Sequence, residues 1–127
     1  MATINAGYLL FDGKTGEMQA ALDGDTLTAR RTAAASALAA DYLARKDATR
    51  LLIVGTGQLA VPVAAAQCAM RPYSSVSVWG RDPSKAAAVA HELCELGIAA
   101  AAVAALNSAS GVAGDRRHVT AHDRPAV

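Results

Sequence analysis

Gly55, Gly57 and Ala60 stand at the spacing of a G-x-G-x-x-A phosphate loop, directly behind the apolar run Leu51-Leu52-Ile53-Val54 and ahead of an alanine-rich segment. That order of strand, glycine turn and helix start is what a dinucleotide pyrophosphate requires. Gly55 turns the chain sharply off the strand, Gly57 lets backbone approach the phosphates, and Ala60 is small enough for tight helix-on-strand packing. Thr56, Gln58 and Leu59 fill the loop, whose N–H groups at a helix start would face the anion. Ordinary tight turns also use Gly-x-Gly. A strand before the loop, a helix after it and a second strand at βαβ distance favour the nucleotide reading.

The second chemically telling stretch is Trp79-Gly80-Arg81-Asp82-Pro83-Ser84-Lys85, at the end of that second strand. An NAD site places a carboxylate there for the ribose hydroxyls, whereas an NADP site places a small residue and cations around the 2′-phosphate. Gly80 leaves room, Arg81 can fork onto a phosphate and Lys85 adds a point charge, so NADP(H) is favoured over NAD(H). Asp82 is the competing carboxylate, but Asp before Pro at the first helical position is also an ordinary helix start. Arg81 has its own plain reading as a solvated loop residue.

These residues need elements to hold them. Gly7-Tyr8-Leu9-Leu10-Phe11, a turn over Asp12 to Gly16, and a partly alternating return over 17–22 read as a β-hairpin, which is marginal alone in water. From Thr26 to Lys46 the chain is almost free of helix breakers, with Leu27, Ala34, Leu38 and Leu43 near helical spacing. Asp25 is the expected N-cap, and Arg45 and Lys46 suit the negative pole at the far end. Arg30 and Arg31 sit at the wrong end for cations, so each is either solvated or reaching an anionic partner. A second helix runs to Met70, with Pro62 forcing a bend or a late start. A third covers 83–96 and stops at Gly97; Ile98 to Val103 is a third strand or continued helix.

Composition narrows the function classes. At 127 residues and a net charge of +1, the chain is one domain in size and lacks the basic stripe of a nucleic-acid or anionic-membrane binder. Hydrophobic residues make up 53%, but aromatics only 4%, so alanine carries the excess and the core should be thin. No charged-then-apolar leader opens the sequence and no run has the length and hydrophobicity of a membrane span. Cys68 and Cys94 lack metal-ligand spacing and read as buried, reduced thiols, consistent with a cytoplasmic protein. His91 reads as a surface histidine, and His118 and His122, four apart without a helix signal, make no metal site. No metal is expected. Residues 107–127 show no period and are expected to be poorly ordered.

Leu27-Thr28-Ala29-Arg30-Arg31-Thr32-Ala33-Ala34-Ala35-Ser36, about twenty residues ahead of Val54-Gly55-Thr56-Gly57, resembles the ornithine cyclodeaminase/mu-crystallin family. The upstream Gly7-Tyr8-Leu9-Leu10-Phe11-Asp12 and Thr15-Gly16 look like the hairpin preceding the same helix. The likeness covers roughly residues 6–96. It implies an α/β chain: a hairpin remnant of a substrate and dimerisation domain over 1–24, a connecting helix over 25–46, and a partial Rossmann (βαβαβ) NAD(P)-binding fold over 47–106. Members act on small amino or cyclic imino acids as ornithine cyclodeaminases, alanine dehydrogenases and ketimine or pyrroline-carboxylate reductases. The resemblance makes Arg31 the grip on the substrate carboxylate, a bidentate pairing that suits a guanidinium, and sets Thr32 beside the cofactor phosphates. It also implies a homo-oligomer.

Other family parts have no counterpart. The portion that supplies a second substrate arginine and a catalytic lysine is missing, as is the later catalytic aspartate, so no catalytic residue is assigned and the chain reads as truncated. Val119-Thr120-Ala121 and Asp123-Arg124-Pro125 faintly resemble a later strand and loop. A three-stranded half-fold would leave Leu51 to Val54 as an exposed apolar edge.

Overall fold

A computed structural model describes residues 6–105 and 118–122. The expected hairpin is present: β1 (Gly7–Phe11) pairs antiparallel with β2 (Met18–Asp23), with the register broken between Leu10 and Phe11. Asp12 makes the turn, its Oδ1 accepting from the N–H groups of Lys14 and Thr15 at 2.7 and 2.9 Å, while Gly16 takes the left-handed φ of 74°. Asp12 is held below the usual carboxylate range by those two backbone bonds, Thr15 first.

The first helix, α1 (Gly24–Leu43), differs from expectation at both ends. Its N-cap is Asp23 rather than Asp25: the chain passes from β2 straight into the helix, and the Asp23 carboxylate accepts from Thr26 N at 2.6 Å. Asp25 lies within the first turn. At the other end the helix stops before Arg45 and Lys46, so neither complements its dipole; Arg45 instead pairs with Asp47 at 2.8 Å. The buried stripe also differs. Ala33, Ala37 and Ala40 face inward, while Leu38 and Leu43 are 50% and 85% exposed. Hydrophobicity pointed to the leucines, but close helix approach selects the small residues.

After α1 the chain alternates as expected: β3 (Arg50–Val54), α2 (Ala60–Met70), β4 (Ser75–Trp79), α3 (Pro83–Glu95) and β5 (Ala100–Ala102). Pro62 falls in the first turn of α2, where a missing N–H costs nothing, so the proline is met by a late helix start rather than a bend. Gly97, at φ 81°, ends α3, and only three residues of the 98–103 run form strand. The core is thin, as composition suggested. Its largest fully buried side chains are Leu51, Ile53, Leu93, Val76 and Val78, and alanines from all three helices fill between them.

The tail does not behave as a featureless segment throughout. Residues 118–122 form β6 (His118–His122), parallel to β3 from Arg50↔His118 to Val54↔His122. The sheet order is β5-β4-β3-β6, all parallel. Leu51 to Val54 therefore lie in an inner strand, buried on both faces, and not at an exposed edge. This explains the unbroken apolar run, since an inner parallel strand is covered above and below. The remainder of the expected tail lies outside the described residues.

Candidate dinucleotide site

The strand order reverses at β3: the chain moves one way to β4 and β5, and β6 pairs on the other side. In open parallel sheets that switch point opens a crevice at the carboxyl ends of the strands, and the crevice is where ligands bind. Val54 ends β3 there, and the Gly55 to Ala60 loop follows.

Gly55 has φ 125°, a conformation that L side chains rarely adopt, and its N–H donates to the Trp79 carbonyl at 2.8 Å. The loop is thus tied to the end of β4. Gly57 and Gln58 are exposed, Leu59 is half-buried and Ala60 is 1% exposed against the core, the division of labour that loop spacing suggested. Leu59 is the N-cap of α2 and no side chain caps the helix. Ala60 N–H donates to the Gly57 carbonyl at 3.1 Å and Pro62 has no N–H, so an incoming acceptor would meet the N–H groups of the loop and of Val61 rather than a full first turn. These features suit a pyrophosphate.

Gly80 has a second reason to be glycine. A Cβ added there would lie 2.6 Å from Thr56 Cγ2, so the space beside Gly80 is taken by the loop itself. Asp82 behaves as a helix cap. Its Oδ1 accepts from Ser84 N at 2.9 Å, Ser84 Oγ at 2.7 Å and Lys85 N at 3.4 Å, and these bonds, led by the Ser84 hydroxyl, hold its carboxyl below the usual range. Arg81 and Lys85 are both exposed beside it.

Arg31 and Thr32 are also exposed, and with Thr28, Ala34 and Ala35 they line an open depression of about 550 Å3 along α1. Its relation to the loop follows from two contacts. Gln67 Nε2 donates to Ser36 Oγ at 3.2 Å and Arg71 Nη1 donates to the Ala40 carbonyl at 3.4 Å. Both pairs are 31 residues apart, so α1 and α2 run parallel at a constant offset. Extending that offset would set Arg31 and Thr32 level with the first turn of α2, although the depression they line includes no residue of the Gly55 to Ala60 loop.

Sequence reasoning passed over Gln67, Arg71 and Tyr73. The signal was present in Gln67, a lone polar residue in the apolar run from Ala60 to Met70. Cys94 was expected to be buried and is exposed, with its thiol 3.3 Å from the Ala100 carbonyl; Cys68 is half-buried, which pushes its thiol pKa up. His91 is exposed, 3.9 Å from Glu95. Among the described residues no His, Cys, Asp or Glu group gathers for a metal, and no helix is long and apolar enough to cross a membrane.

A parallel sheet with a glycine loop and an uncapped helix start at its switch point defines an α/β unit of the dinucleotide-binding type. The chain belongs to the ornithine cyclodeaminase/mu-crystallin family, whose sequence pattern matches residues 1–120. It is 36% identical over its whole length to the delta(1)-pyrroline-2-carboxylate reductase of Paracoccus denitrificans, of which it covers 40%. The Thermococcus litoralis enzyme of that name, solved with NADH and L-proline, superposes with a TM-score of 0.73 at 38% identity, covering 81% of this chain and 32% of that one. An archaeal alanine dehydrogenase dimer with bound NAD gives 0.72 at 27% identity over 81% of this chain and 32% of its own. The chain thus spans two fifths or less of these relatives.

Proposed function

We propose that this chain supplies the cofactor half of an NAD(P)(H)-dependent reductase or cyclodeaminase of small amino or cyclic imino acids. In this reading the Gly55 to Ala60 loop and Thr32 hold the pyrophosphate, and Arg31 holds the substrate carboxylate. The observation that carries it is the uncapped α2 N-terminus behind a positive-φ glycine at the point of strand reversal. The exposed cations Arg81 and Lys85, with Asp82 committed to capping α3, favour NADP(H) over NAD(H), whereas the room expected beside Gly80 is filled by Thr56. The solved relatives with NADH and NAD make NAD(H) the direct competitor.

The chain binds without turning over alone, because reduction of an imine also needs a positioned proton donor and none of the residues assigned here is one. It works in the cytoplasm as a homo-oligomer. The large apolar side chains exposed on its hairpin, among them Leu9, Phe11 and Met18, support association, as does the dimeric relative. A non-catalytic NADP(H)-binding module or a non-functional remnant is the second reading, favoured by the lack of a proton donor among the residues assigned to the site.

The test uses Trp79, the only tryptophan, whose ring packs on Leu52 and Val54 and whose carbonyl holds Gly55. Its fluorescence is followed while NADPH and NADH are titrated separately. Saturation with NADPH favoured supports both parts, NADH favoured overturns the assignment of Arg81, and no saturation with either overturns dinucleotide binding.

A further inference from the structure

α1 and α2 pack against each other, and apart from Gln67 the residues each helix buries are small: Ala33, Ala37 and Ala40 on α1 and Ala60, Val63 and Ala64 on α2. Such a surface buries area but offers few knobs and holes. Sliding one helix along the other by a turn exchanges alanine for alanine, so burial alone specifies the register weakly. The depression at Arg31 and Thr32 belongs to α1, whereas the glycine loop belongs to β3 and α2. Their relative position is therefore an open question for apolar packing.

A buried polar chain answers it. Gln67, 2% exposed, donates from Nε2 to Ser36 Oγ at 3.2 Å, and its Oε1 accepts from the Tyr73 hydroxyl at 3.3 Å. The Tyr73 ring lies 5.9 Å from the guanidinium carbon of Arg71. Arg71 is 7% exposed and donates to the Ala40 carbonyl at 3.4 Å, near the end of α1, and to the Arg45 carbonyl at 2.5 Å, just beyond it; each carbonyl also accepts from a backbone N–H. Its Nε has no hydrogen-bond partner. A buried cation held by carbonyls is a costly way to gain stability, but displacing α1 by one turn would part Gln67 Nε2 from Ser36 Oγ and Arg71 from the Ala40 and Arg45 carbonyls, while the Gln67–Tyr73 bond stays. The penalty for leaving them unpaired is what opposes the slip.

We propose that Gln67, Tyr73 and Arg71 are positioning residues that lock the register of α1 on α2 and so set Arg31 and Thr32 against the Gly55 to Ala60 loop. The ligand part of this inference rests on the dinucleotide reading above; the register part does not.

The experiment places spin labels at Tyr42→Cys, near the end of α1, and Ala87→Cys, in the first half of α3, in the full chain carrying Cys68→Ala and Cys94→Ser. Tyr42 is 78% exposed and Ala87 is exposed, so both accept a label. Without further change the label pair should give one narrow distance. Gln67→Leu and Arg71→Met should each add a second population displaced by about 5 Å, one helical turn. The affinity for ADP-ribose, read by Trp79 fluorescence, should fall by the fraction that leaves the native register: about tenfold where one molecule in ten keeps it. Arg71→Lys should restore part of both readouts.

If these variants lose their helical circular dichroism, Tyr73→Phe decides, since it removes one hydroxyl and keeps the ring over Arg71. It should still broaden the distance distribution. A single unchanged distance in the folded variants overturns the lock, and a displaced population with unchanged ADP-ribose affinity overturns the positioning role. Should the unsubstituted chain bind no ADP-ribose, the dinucleotide reading and the positioning role fall together, while the register lock stands or falls on the distances.

Discussion

Gly80 and Thr56 are in contact across the crevice, and a single added Cβ on Gly80 would come within 2.6 Å of the Thr56 Cγ2. One residue follows the end of β4 and the other lies in the glycine loop after β3, so the two segments are sterically coupled. Gly80→Ala should rotate or displace Thr56 and weaken NADPH and NADH alike. Overpacking of this kind costs about 1–3 kcal/mol. Thermal unfolding and Trp79 titration of the same variant check it. A drop confined to NADPH would instead assign Gly80 to the 2′-phosphate alone.

Gly55→Ala tests the loop itself. At φ 125° a methyl group is strained wherever it points, at a cost of about 1–3 kcal/mol. The variant should lose dinucleotide binding together with the bond from Gly55 N to the Trp79 carbonyl, and the Trp79 emission of the free chain should change as well.

Arg81→Ala should act on one cofactor only. Hydrogen bonds to charged groups contribute about 1.5–3 kcal/mol, so NADPH affinity should fall by roughly tenfold to a hundredfold while NADH is little affected. An equal loss for both would remove the 2′-phosphate from the assignment. Arg31→Met makes the parallel test for the carboxylate: binding of L-proline in the presence of cofactor should weaken by about the same factor.

The helix caps give the chain an acid limit. Asp23 and Asp82 are both held below their ordinary pKa, Asp23 chiefly by the Thr26 N–H and Asp82 chiefly by the Ser84 hydroxyl. Their stabilisation is complete above the unfolded value of about 3.9 and is lost as pH falls through the lower folded values. Helical circular dichroism should therefore decline below about pH 4, at lower denaturant for the parent than near neutrality. Asp82→Ala should lower the thermal midpoint at neutral pH and flatten that acid dependence.

Much of this architecture was legible in the chain. The Leu51 to Val54 run, the glycine loop and the alternating Ser75 to Trp79 segment announced a βαβ unit, and Asp82-Pro83 marked the start of α3. Arg-Thr-Ala-Ala-x-Ser ahead of the loop carried the family. These signals survive because each depends on neighbours in sequence: turn conformation, capping and strand alternation are local.

Three features needed the folded chain. The inward face of α1 is its alanine stripe and not its leucines, because what matters there is how closely α2 can approach. The pairing of β6 with β3 joins segments about seventy residues apart, and a five-residue strand with a polar residue at either end carries little signal of its own. The roles of Gln67 and Arg71 depend on carbonyls and hydroxyls of a helix roughly thirty residues earlier. By itself, the sequence determined the hairpin turn, the alternation from β3 through α3 and the glycine loop between β3 and α2. Only the tertiary structure decided which faces meet, where the strand order reverses and how α1 registers on α2, because those outcomes rest on packing and hydrogen bonds between distant residues.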